Sequence, residues 1–177
     1  DLRIRNIEAD CLYAGIMIDT NNFLTKTGVR TFEAAAYLRR NGADVTRVRK
    51  MFRDSMDDYK VRAEIVRKAE VYANDFAISI TPEEIPIESP TIIGAQAANE
   101  LLNINGIKAS FVLTNFQNQI YISARSIDEI NVQVIMEKLG GGGHLNIAGA
   151  QLSGVTSEEA RQMLIDTIDN MIKDGDL

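Results

Sequence analysis

The chain has 177 residues, 45% of them hydrophobic and 25% charged, a balance that excludes intrinsic disorder. Its net charge of −6 excludes a broad basic face for duplex nucleic acid, so an anionic ligand has to be gripped locally by arginines, backbone amides or metal ions. One cysteine, Cys11, excludes a disulfide framework and makes a reduced intracellular compartment the default. No apolar run approaches the ~20 residues of a membrane span.

In chain order, Leu12 to Ile18 is a nearly continuous apolar run that stops at Asp19-Thr20-Asn21-Asn22. The run predicts a strand buried on both faces of a parallel sheet, with Asp19 at its carboxyl end, where α/β sheets place ligands. An aspartate there is either an oxygen ligand for Mg²⁺ or Mn²⁺ or a turn and capping residue. The polar loop Thr25–Arg30 leads to a helix from about Thr31 that stops at Asn41-Gly42, and Asp44 caps the next helix. Ser55-Met56-Asp57-Asp58 opens a charged helix to about Tyr72, read as a connector between two lobes.

From Asp75 the texture changes. Phe76–Ile80 is strand-like, and Thr81–Pro90 holds all three prolines and is expected as a loop. Ser89-Pro90 starts a helix that stops near Asn105-Gly106. Lys108–Leu113 and Gln119–Ala124 form a hairpin, and a helix runs from Asn131 to Leu139 with Ile135 and Met136 in the core. Ala150–Leu152 is a last short strand, and Thr156-Ser157-Glu158-Glu159 opens a terminal helix with Ile165, Ile168 and Ile172 on one face.

Between the last two helices lies Leu139-Gly140-Gly141-Gly142-Gly143-His144-Leu145. Four glycines suit backbone that takes positive φ or comes very close to another group. The expected structure is a loop followed by a short second helix, whose N–H groups and N-terminus hold phosphate or carboxylate oxygens. His144, the chain's one histidine, stands at the mouth of that site. The competing reading is a plain turn with a surface histidine. The Walker pattern is absent.

The ordered set Gly15-Ile16-Met17-Ile18-Asp19-Thr20-Asn21-Asn22-Phe23, Thr27-Gly28-Val29-Arg30, Ile122-Ser123-Ala124-Arg125-Ser126, Asn131–Met136 and Leu139–His144 resembles the DHH phosphoesterase superfamily with its DHH-associated C-terminal domain. The likeness is greatest to bacterial cyclic-di-AMP phosphodiesterases of the GdpP type. It implies an α/β architecture: the tail of a parallel-sheet DHH lobe in residues 1–54, a connector helix in 55–73, and an α+β substrate-binding domain with a mixed sheet in 74–177. It further implies hydrolysis of cyclic-di-AMP to pApA with two Mn²⁺ ions. Asp19 matches a metal-binding aspartate, and Ser123, Arg125, Ser126, Gly140 to Gly143 and His144 match substrate-holding motifs. Arg30 is a weaker candidate for phosphate contact.

The Asp-His-His triplet of that superfamily is missing, so the chain is expected to be an inactive C-terminal portion of a longer enzyme. The resemblance places the parent at the membrane through an N-terminal region, with this part in the cytoplasm. A homodimer is compatible with it. Two other readings stand beside it: an oligoribonuclease or pAp phosphatase of the same superfamily, and a non-catalytic RNA-binding module like that appended to alanyl-tRNA synthetases. The DHH-like stretch ending at Asp19 and the acidic charge argue against the last.

Overall fold

The computed structural model describes residues 4–82 and 87–177, which fall into two compact units, Asp1–Asp54 and Ser55–Leu177. Residues 83–86 of the proline loop lie outside the described residues.

The first unit is helical. Helix α1 spans Asn6–Asp19, α2 Val29–Arg40 and α3 Val45–Met51. The expected strand at Leu12–Ile18 is therefore the second half of α1. Ala9, Tyr13 and Ile16 recur at i, i+4 and i+7 and pack with Leu38 and Ala43, while Leu12 and Ile18 stay exposed. A helical stripe is buried, and no strand among the described residues forms here. Asp10 is 1% exposed. It accepts the Asp44 N–H at 2.7 Å and the Arg47 Nε at 2.6 Å, which ties α3 to α1. Asp44 caps α3 through the Thr46 N–H at 2.7 Å.

The second unit is one six-stranded sheet with helices on both faces. Its elements are α4 Met56–Arg67, β1 Glu70–Tyr72, β2 Phe76–Ile80, α5 Pro90–Leu101, β3 Ala109–Phe116, β4 Gln119–Ser126, α6 Val132–Lys138, β5 Gly142–His144, β6 Ile147–Ser153 and α7 Ser157–Asp174. Strand order is β1-β2-β3-β4-β6-β5. Only β2 and β3 are parallel, joined by the α5 crossover. The connector expected to reach Tyr72 ends at Arg67, and the chain re-enters the sheet as β1. Its helix is part of this unit, burying Ile65 against α5, with Val61 and Val66 packed beside it and Tyr59 exposed.

Phe111, Leu113, Ile120 and Ile122 meet Ile135, Met136, Leu164 and Ile168 on one face of the sheet. The α7 stripe is Ala160, Leu164, Ile168 and Met171, so Ile172 points outward. Ala77 and Val112 meet Ile65, Ile93, Ala97 and Leu101 on the other. No helix among the described residues is long and apolar enough to cross a membrane.

Candidate functional site

Strand β4 alternates strictly. Ile120, Ile122, Ala124 and Ser126 are buried, and the intervening residues are half-buried. Period two puts Tyr121, Ser123 and Arg125 together on the α5 side of the sheet. Ser126 faces the opposite way, where its hydroxyl lies 3.4 Å from the Leu145 carbonyl and from Asn146 Oδ1. It is held by protein rather than presented to a ligand.

Arg125 donates from Nε to Asn99 Oδ1 at 3.1 Å and from Nη1 to the Ala124 carbonyl at 2.8 Å. It has no carboxylate partner among the described residues. Burial pulls the guanidinium below its ordinary pKa, with no opposing charge among the described residues to restore it. A partly desolvated cation held only by neutral acceptors is primed for an anion, and its fork suits a phosphate.

The glycine run is built differently from the expected loop and helix. Gly140 N–H donates to the Glu137 carbonyl at 3.0 Å, and Gly141 N–H to the Met136 carbonyl at 2.8 Å. With Gly140 at φ +78°, this is a Schellman ending of α6, so those two N–H groups are already used. The chain then forms β5, which turns back through Leu145-Asn146 into β6. Gly142 pairs Gly149, Gly143 pairs Ala148 and His144 pairs Ile147. No second helix follows the glycines, and no helix N-terminus is supplied there. The reason is steric. A Cβ on Gly141 would stand 2.1 Å from the Gly149 carbonyl oxygen, and one on Gly143 2.5 Å from Ala148 Cα.

Beside this hairpin opens a cleft of about 410 Å³, floored by Tyr121, Ser123, Gly149 and Gln151, with Gly140 to Gly142 on one side and Thr91 of α5 on the other. The fold brings Ser123 and three of the four candidate glycines into one cavity. Arg125 lies one same-face step from Ser123, about 6.8 Å along the strand. His144 and Gly143 are exposed on the hairpin and do not line the cleft. Sequence reading missed Thr91, Tyr121, Gln151 and Asn99. For Tyr121 the signal lay in the Tyr121-x-Ser123-x-Arg125 alternation, while Gln151 needs the β4–β6 register.

Asp19 and Arg30 belong to the other unit. Asp19 is exposed at the last turn of α1 rather than at a strand end, and Arg30 is exposed inside the first turn of α2 rather than in the loop before it. No group of three or more His, Cys, Asp or Glu among the described residues is arranged to hold a metal ion. A single exposed carboxylate does not fit a two-ion Mn²⁺ cage, whose ligands have to converge.

Residues 88–174 match the family described as the DHHA1 domain. The chain is 46% identical to the cyclic-di-AMP phosphodiesterase PdeA of Listeria monocytogenes over 94% of its own length and 25% of that protein. It is 43% identical to the cyclic-di-AMP phosphodiesterase GdpP of Bacillus subtilis over 98% of its length and 27% of that protein. The chain thus spans about a quarter of these relatives. Among solved structures, an exopolyphosphatase-related protein from Bacteroides fragilis superposes with a TM-score of 0.85 at 23% identity, covering 95% of this chain and 51% of that one, which establishes a shared fold.

Proposed function

We propose, from the match of residues 88–174 to the DHHA1 domain, that this chain is the substrate-holding part of a metal-dependent phosphodiesterase that converts cyclic-di-AMP to pApA. The observation that carries this reading is Arg125: a partly desolvated guanidinium with no carboxylate partner among the described residues, beside Ser123 and an open cleft. Arg125 contacts phosphate oxygens through its fork, and the Ser123 hydroxyl, which makes no hydrogen bond among the described residues, donates to a second oxygen. The first turn of α5, with Thr91 on the cleft, adds the partial positive charge of a helix N-terminus.

The glycines act mainly by letting β5 lie close to β6, which sets the cleft wall. As an edge strand, β5 also leaves alternate backbone groups without a ladder partner and open to a ligand. His144, on the rim, reaches a ligand that extends past the cleft. Residues 1–54 are the tail of the DHH domain, and Asp19 contributes one carboxylate toward Mn²⁺ in the whole enzyme. The two relatives named above carry cyclic-di-AMP in their names, and that is the support for this substrate over short RNA.

Calorimetric titration of the 177-residue chain tests the reading. Cyclic-di-AMP and pApA are expected to bind without metal, and Arg125→Ala to abolish binding in a chain that stays folded. Equal binding by wild type and Arg125→Ala would overturn it. Stronger binding of a longer oligoadenylate than of either dinucleotide would favour the oligoribonuclease alternative.

A further inference from the structure

Tyr121 and Gln151 are directly opposed on β4 and β6, on the sheet face where both line the cleft. Neither is used by the core. The Tyr121 ring is half-buried, meets Phe116 only in a tilted contact at 6.3 Å, and donates its hydroxyl to Gln119 Oε1 at 3.2 Å. The Gln151 side chain is exposed, and its amide makes no hydrogen bond among the described residues. The pair lies one same-face step from Ser123 and Gly149, a strand spacing of about 6.8 Å. A ribose spans that step when a phosphate sits at Ser123.

We infer that Tyr121 and Gln151 read the base of the bound nucleotide and select adenine. This inference deepens the nucleotide-binding reading above and rests on it. An aromatic ring beside a cleft stacks any base, which gives affinity without choice. Choice comes from the neighbouring amide. A glutamine offers one donor and one acceptor in a plane, which pair together with adenine N7 and N6. Guanine presents two acceptors on that edge and uracil a single carbonyl, so each leaves one half of the amide unmatched. Thr91, across the cleft on α5, closes the far edge of the base-sized space.

The test is a competition titration of the full chain with pApA, pGpG and pUpU, with inorganic pyrophosphate as a base-free probe. Wild type is expected to prefer pApA by about 10- to 100-fold, the range of one good bidentate contact. Gln151→Leu collapses that ratio and leaves pyrophosphate binding unchanged. Tyr121→Ala weakens all three dinucleotides together, and Tyr121→Phe, which keeps the ring, restores them. A wild-type preference that survives Gln151→Leu would overturn the inference while leaving the nucleotide reading intact. Pyrophosphate binding without any dinucleotide preference would do the same. Failure of every dinucleotide to bind would overturn both.

Discussion

Gly141 and Gly149 lie so close that a Cβ on the first would come within 2.1 Å of the carbonyl oxygen of the second. Because Gly149 also floors the cleft, the spacing of these two glycines sets its width. Gly142, between β6 and open space, has nothing within 4 Å of where its Cβ would be. Two glycines adjacent in sequence therefore carry different constraints. Gly141→Ala is expected to displace the β5–β6 hairpin at a cost of about 1–3 kcal/mol, seen as a lower melting temperature. Gly142→Ala should keep the wild-type stability within about 1 kcal/mol, so any loss of nucleotide binding in it reports on the ligand.

Beneath α5, Thr114 Oγ1 is buried without a hydrogen-bond partner among the described residues and would stand 2.5 Å from a Cβ on Gly94. The helix lies against β3 at a distance only glycine permits. Gly94→Ala is expected to destabilise the sheet unit by about 1–3 kcal/mol. Thr114→Val removes a desolvated hydroxyl and is expected to raise stability by about 1 kcal/mol. Denaturant unfolding of both variants checks the pair of opposite signs.

In the helical unit, the Arg47 guanidinium and then the Asp44 N–H hold the buried Asp10 carboxyl below the usual carboxylate range. The unfolded chain takes up this proton at a higher pH than the folded one. The stabilisation is therefore complete above the ordinary aspartate range, near pH 4, and is lost as pH falls through the depressed value. Thermal melts from pH 7 to 2.5 should show this acid loss, and Asp10→Asn should flatten it while lowering the melting temperature at neutral pH. Glu64 is pushed down to about 2, mainly by its bond to Arg67, but that pair is on the surface. Glu64→Gln should leave the melting temperature nearly unchanged.

Arg125 carries a cost in the folded state, since its charge is partly desolvated and has no acidic partner among the described residues. Arg125→Met is expected to melt at the same temperature as wild type or higher while losing nucleotide binding. A fall in melting temperature would mean that the bond to Asn99 is structural rather than a tether for a ligand-binding side chain.

Much of the second unit is legible because its signals are local. The capping box joining Thr156 and Glu159 at the start of α7, Ser89-Pro90 before α5, the β3–β4 hairpin and the buried pair Ile135 and Met136 depend on residues within a few positions of each other. The family resemblance was legible for a related reason, since ordered motifs survive without any knowledge of contacts. Two elements were misread where the local signal is degenerate. An apolar run such as Leu12–Ile18 fits a buried strand or a helix equally well, and what decided it was that Ala9, Tyr13 and Ile16 find Leu38 and Ala43. Four glycines fit an anion loop or a close-packed hairpin equally well, and only their approach to Gly149 and Ala148 decided between them. Composition and periodicity thus determined which residues are apolar, capped or turning. Tertiary structure alone decided that Tyr121 faces Gln151 and that Arg125 has no acidic partner among the described residues, because cross-strand register and burial depend on residues far apart in the chain.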